Sequence, residues 1–294
     1  MQRYFHATQW AAVSLVVFIV LVFVVPDGRE SSSVELLLTV STFLFAVLAG
    51  FYLTRLNNRY DRVRELIAEE DAHWITVYEL SAVLGRKYRE AVTNIIDKYY
   101  QAAFDYYIGD AHRPTQKYMD MLYRLLRAHE PVKEREKDAY DQTTDLLADI
   151  EVERNAIAVV SLEKLTPGQW ATMLSLAAIV LFSIFYLKGN MFFSDAMVVL
   201  LATVLSLILL VMRDLQNFFL GGTSMVDESS QEVFEVIGRP RYFPLSYLEQ
   251  HPVEFPRDVQ TFRVGYHNLY KDPNAPEHIE IAKVGEHRTS YKPR

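Results

Sequence analysis

Residues 36–54 read LLLTVSTFLFAVLAGFYLT, and RLNNRYDRVR follows directly at 55–64. The first run contains no Lys, Arg, Asp or Glu. A hydrocarbon layer about 30 Å thick takes roughly 20 apolar residues in a helix, so this run is long enough to cross it. The second run places Arg55, Arg59, Arg62 and Arg64 within ten residues. An apolar helix ending on clustered arginines reads as a span whose basic end is cytoplasmic.

Three further charge-free runs repeat the pattern, at 10–26, 169–187 and 196–212. The four runs hold 72 residues, and all 67 charged side chains lie in the other 222. Whole-chain averages conceal this division. The 294 residues are 50% hydrophobic, with net charge −7 and mean hydropathy +0.02, values that also suit a soluble protein. They exclude an acidic disordered chain, which is less apolar and more charged. With no cysteine, disulfide scaffolds, Cys-ligated metal sites and thiol chemistry are excluded as well. An acidic balance argues against nucleic acid as a partner.

The first run gains length from Tyr4, Phe5 and His6, and the fourth begins at Met191. Trp10, Tyr52, Trp170 and Tyr186 stand at span ends, where amphipathic rings prefer to sit. Val24-Val25-Pro26 offers no small-residue cleavage site, so the first run is expected to be a retained span, not a signal peptide. The short connections 27–35 and 188–195 carry one basic residue each, Arg29 and Lys188. Arginines follow the second span, and Arg213, Arg239 and Arg241 follow the fourth. The expected protein is therefore a multi-pass protein of the cytoplasmic (inner) membrane with both termini in the cytoplasm. Its fold class is all-α, with four transmembrane helices in two hairpins. The expected segments are a first hairpin at 1–54, a cytoplasmic helical domain at 55–165, a second hairpin at 166–213 and a cytoplasmic tail at 214–294.

The insert is rich in charge, and its breakers are Gly85, Gly109, Pro114 and Pro131. They divide it into about four helices. The first continues from the second span through Leu84, the second covers Tyr88–Ile108, the third Thr115–His129, and the fourth runs from Pro131 towards Leu165. Val92, Ile95, Ile96 and Tyr99 recur at helical spacing, as do Tyr118, Leu122, Leu125 and Leu126. In the tail, Asp227–Ile237 reads as one short helix stopped by Gly238. The rest, rich in proline and aromatic residues, is expected to be irregular.

Motifs for catalysis are missing. The chain has no His-Glu-x-x-His, no glycine-rich phosphate loop and no Gly-x-Ser-x-Gly, so no catalytic residue and no cofactor are expected, and the protein does not read as an enzyme. Glu70 and His73 have the Glu-x-x-His spacing of di-metal bundles, but no second copy of the motif occurs. Asp227 and Glu228 are similarly weak metal candidates. No ionisable residue sits mid-span, which argues against an ion-coupled transporter.

In the second span, Thr39, Thr42, Ala46, Gly50 and Leu53 share one face at three- and four-residue steps. Ala46 and Gly50 form a small-x-x-x-small pair, which suits close helix packing. The same face also suits the wall of a conduit, with Phe43, Phe45 and Phe51 forming an apolar constriction. On that reading Arg55, Arg59 and Arg62 shape an electropositive inner vestibule; on the simpler one they contact membrane lipid.

The stretches RVRELIAEEDAHWITVYEL (62–80) and MRDLQNFFLGGTSM (212–225) resemble those of a bestrophin-like family of integral membrane proteins of unknown function. The residues that carry the resemblance are Glu69, Glu70, Thr76 and Tyr78, then Asp214, Phe218, Gly221 and Gly222, within about 10–237. The layout is similar to that of bestrophin anion channels. The resemblance implies a homo-oligomer, a pentamer by family likeness alone, and inorganic anions such as chloride as the conducted species. It also implies a pore lined by the second span. The dense acidic calcium clasp of bestrophins is missing here, with Asp227 and Glu228 alone nearby, so calcium gating is not implied. The alternative function is a non-conducting scaffold or sensor whose insert and tail bind a cytoplasmic partner.

Overall fold

The computed structural model describes residues 7–26, 28, 31–106, 108–218, 227–249, 253–256, 259–267, 276–284 and 292–293. The described chain is mostly helical and divides into two compact units, 1–60 with 164–222, and 61–163 with 223–294.

The first unit holds α1 (Ala7–Val24), the first part of α2 (Ser32–Ser81), α6 (Pro167–Tyr186) and α7 (Phe192–Gln216). Each of these helices is long and apolar enough to cross a membrane. Thr166 starts α6 with a capping box: its hydroxyl accepts from the Gln169 amide, and Pro167 occupies the first turn, where its missing N–H costs nothing. Phe18 and Val22 of α1 share one apolar core with Phe45, Ala49 and Tyr52 of α2, Met173 and Ala177 of α6, and Ala202 and Leu205 of α7. Polar bonds tie both ends of the unit. Lys188, nearly buried, donates to the Val22 and Val25 carbonyls at 2.6 and 3.0 Å, placing a cation at the C-terminus of α1. Asp214 accepts from the Ala7 amide at 2.6 Å. Gln216 accepts from the Leu165 amide and the Trp170 indole through its side chain, and from Arg59 through its carbonyl.

The second unit contains the rest of α2, then α3 (Arg86–Asp105), α4 (His112–Arg127), α5 (Glu134–Leu162) and α8 (Asp227–Val236). Of the breakers noted in the sequence, Gly85, Gly109 and Pro131 fall at joints between these helices, whereas Pro114 lies in the first turn of α4, which begins at His112 and not at Thr115. Gly85 has φ of +113° at the joint between α2 and α3, a conformation that a side chain disfavours. Trp74 and Val77 of α2, Val92, Ile96 and Tyr99 of α3, Met119 and Leu122 of α4, Leu147 and Ile150 of α5, and Val233 and Phe234 of α8 form one core.

Beyond α8 the expectation of an irregular tail is corrected. β1 (Tyr242–Pro244), β3 (Thr261–Gly265) and β4 (Ile279–Lys283) form a sheet in the order β1-β3-β4, with β1 and β3 parallel and β3 and β4 antiparallel. A short helix, α9 (Leu245–Leu248), follows β1, and β2 (Glu254–Phe255) pairs with β5 (Lys292–Pro293). Short strands broken by proline show little alternation, so the aromatic residues read as loop. Their role is packing: Phe243, Phe255 and Phe262 make a small separate core. Arg263 on β3 forms a largely buried ion pair with Asp97 of α3 at 2.7 Å.

Candidate functional site

The charge-free part of α2 buries one side and leaves the other open. Ser41, Phe45, Ala49, Tyr52 and Leu56 recur at three and four residues and are buried within the first unit. Thr39, Thr42, Phe43, Ala46 and Gly50 lie exposed, and Leu53 is half-buried at the border. A Cβ built on Gly50 meets nothing within 4 Å, so the small pair Ala46–Gly50 does not serve close packing inside this chain. Phe43 and Phe51 are exposed. Phe45 is not available for a constriction, because it packs among α1, α6 and α7. The Thr39 hydroxyl bonds the Glu35 carbonyl one turn back, the usual resort of a hydroxyl on an apolar helix.

The arginines below this span divide. Arg55 is exposed. Arg62 is exposed and pairs with Glu65 at 2.6 Å. Arg59 turns inward: it is 5% exposed, it donates to the Gln216 carbonyl at 3.0 Å, and its guanidinium stacks 4.0 Å from the Phe218 ring centroid. That burial removes Arg59 from an open vestibule and makes it a strut between α2 and the end of α7.

Further along α2, two adjacent carboxylates are buried in the second unit. Glu70 is 8% exposed and Asp71 4%. Glu70 accepts from the Tyr99 hydroxyl and, at 3.2 Å, from the Trp74 indole. Asp71 accepts from the Tyr100 hydroxyl at 2.6 Å and from the Ser230 hydroxyl of α8 at 2.9 and 3.1 Å. Burial pushes the Glu70 carboxyl up to about 7 against the lowering effect of Tyr99, with the neighbouring Asp71 charge adding to the rise. Burial likewise raises Asp71 to about 6, opposed by Tyr100, Ser229 and Ser230. Perturbed, buried titratable groups of this kind are where function tends to concentrate.

Glu70 and His73 do not converge as a metal pair. Glu70 faces α3, whereas His73 bonds Glu153 of α5 at 2.9 Å. Among the described residues no group of three or more His, Asp or Glu side chains is placed to hold a metal. The side chains of Asp227 and Glu228 lie outside those described.

Tyr99, Tyr100, Glu153, Arg154, Ser230 and Gln216 were missed by motif reading. One signal was available for the first two. Glu70–Asp71 and Tyr99–Tyr100 lie nearly equidistant from Gly85, so an antiparallel helical hairpin hinged there brings the pairs together.

Four long apolar helices whose surfaces the chain itself mostly leaves uncovered define an α-helical membrane protein. The model of the bestrophin-like domain matches residues 8–230, and the chain belongs to the bestrophin-like family. Comparison with curated proteins finds no match, and comparison with solved structures finds none.

Proposed function

We propose that the chain assembles with copies of itself into a channel that passes inorganic anions, with the open face of α2 lining the pore. The observation that carries this reading is that face: Thr39, Thr42, Phe43, Ala46 and Gly50 stand exposed on a span free of charge. Small and hydroxyl residues leave room and weak polar contacts for a partly hydrated ion, and the exposed Phe43 and Phe51 supply rings able to gate by dewetting. Membership of the bestrophin-like family supports it. Arg55 and Arg62, at the basic end of the span, would raise the local anion concentration. The same basic end supports a cytoplasmic-membrane location with cytoplasmic termini.

Reconstitution of the purified oligomer into planar bilayers, with chloride exchanged for a bulky anion, tests the proposal. Current that falls with the exchange is expected. An assembled oligomer that carries no current refutes it.

A scaffold or sensor is the second reading. It is favoured by Val152, Val159 and Leu162, exposed apolar residues on one side of α5 outside the spans. Glutamates at Val152 and Val159 would then abolish recovery of a cytoplasmic partner without affecting any current.

A further inference from the structure

Glu70 and Asp71 sit where three helices meet, without the directly paired counter-charge that buried carboxylates ordinarily have. Among the described residues no Lys, Arg or His side chain forms an ion pair with either carboxylate; their hydrogen-bond partners are hydroxyls and an indole. The charged and titratable groups around them can be named element by element. On α2 stand Glu69 and His73, the latter bonded to Glu153. On α3 stand Tyr99 and Tyr100, whose phenols burial holds protonated far above the ordinary range. On α5 stand Glu153 and Arg154. The Arg154 guanidinium spends its terminal nitrogens on Glu151, Gln116, Thr115 and the His112 carbonyl, lies 5.5 Å from the Tyr99 ring centroid, and acts on Glu70 through its charge, opposing the effect of burial. On α8 stand Ser229, Ser230 and Glu232, the last a further negative charge near Asp71.

This arrangement has a mechanical consequence. Asp71 bonds α3 through Tyr100 and α8 through Ser230, so one carboxylate joins three helices. α8 has ten residues, far fewer than α2 or α3, and is the member of the joint that separates most easily. Its C-terminal side continues into the tail sheet, where the Gln231 side chain bonds both the amide and the carbonyl of Tyr242.

We propose that Glu70 and Asp71 form a proton-operated latch that holds the tail helix α8 on the α2–α3 hairpin. With the pair protonated, neither carboxyl carries a charge and α8 stays docked. Ionisation places two adjacent negative charges, with Glu153 and Glu232 beside them, in a dry seam. Opening the α8 side admits water to both carboxylates and relieves the repulsion. Burial weakens both carboxyls as acids, to about 7 for Glu70 and about 6 for Asp71, which places the change in the range around neutrality. The proposal concerns regulation of the tail and holds whether or not the chain conducts ions.

Hydrogen–deuterium exchange of the full-length protein in lipid nanodiscs tests it, read on peptides covering α8 and corrected for intrinsic exchange rates. Protection of α8 is expected to fall at least tenfold from pH 5.5 to pH 8, while α3 stays protected. The Glu70→Gln, Asp71→Asn double variant is expected to keep α8 protected at both pH values. Ser230→Ala, which removes one tether and no charge, is expected to lower α8 protection at pH 5.5. His73→Gln is expected to leave the pH response in place. The latch is overturned if native α8 is equally protected at both pH values, or if Ser230→Ala leaves its protection unchanged. It is overturned equally if His73→Gln abolishes the response, since that would assign the switch to the His73–Glu153 pair.

Discussion

Glu70 makes stability depend on pH in the range below neutrality. Its carboxyl rises from 4.5 in the free residue to about 7 when folded, chiefly because burial penalises the charge. Between those values the folded protein binds a proton that the unfolded chain does not. Stability is therefore full below about pH 4.5 and falls as pH climbs to about 7, opposite in sign to an ordinary salt-bridged carboxylate. At about 1.4 kcal/mol per pH unit, the loss for Glu70 is about 3 kcal/mol. Asp71 loses a comparable amount between about 4 and about 6. Replacing Glu70 by Gln keeps an oxygen able to accept from Tyr99 and Trp74 and removes the ionisation. The assay is the thermal midpoint of the second unit in the full-length protein, followed by tryptophan fluorescence across pH 5 to 8. For a unit of this size about 3 kcal/mol corresponds to a shift of roughly 6–12 °C. The native midpoint is expected to fall across that range, and the Glu70→Gln midpoint to fall by less than half as much. A variant whose midpoint declines as steeply as the native one refutes the argument, because the titrating group would then lie elsewhere.

Three further outcomes follow from the geometry. In bilayers, Gly50→Leu is expected to reduce current severalfold and Phe43→Ala to change its gating, with oligomer size by light scattering unchanged; if neither alters the current, α2 is not the pore wall. Arg263→Ala leaves Asp97 charged and largely buried, so the tail sheet is expected to lose about 3–5 kcal/mol and limited proteolysis within 240–284 to accelerate. Gln216→Leu deprives the Leu165 amide and the Trp170 indole of their acceptor, with an expected loss of about 2 kcal/mol read as a lower midpoint for the first unit.

Sequence alone determined the features that repeat along the chain. Four charge-free runs appeared as four long helices because apolar length follows directly from composition and helical rise. The joints at Gly85 and Gly238 were legible because special backbone angles demand special residues; Gly238, at φ +74°, ends α8 as expected. The spacing on α2 correctly grouped Thr39, Thr42, Ala46 and Gly50 on one face, but could not say whether that face was packed or open. That choice depended on the other helices, which pack against the opposite side through Phe45 and Ala49.

Tertiary structure decided the rest, because it turns on partners remote in sequence. Arg59 looked like its neighbours Arg55 and Arg62 until Gln216 and Phe218 claimed it. The tail strands pair at separations that no local pattern records, and Gly265 lies so close to the Tyr242 hydroxyl that any side chain there would collide with it. Most of all, an acidic run at 69–71 ordinarily signals a wet helix face. Only the fold, by bringing Tyr99, Tyr100 and Ser230 onto Glu70 and Asp71, takes two of those charges out of water, and the cost of burying them makes their protonation matter.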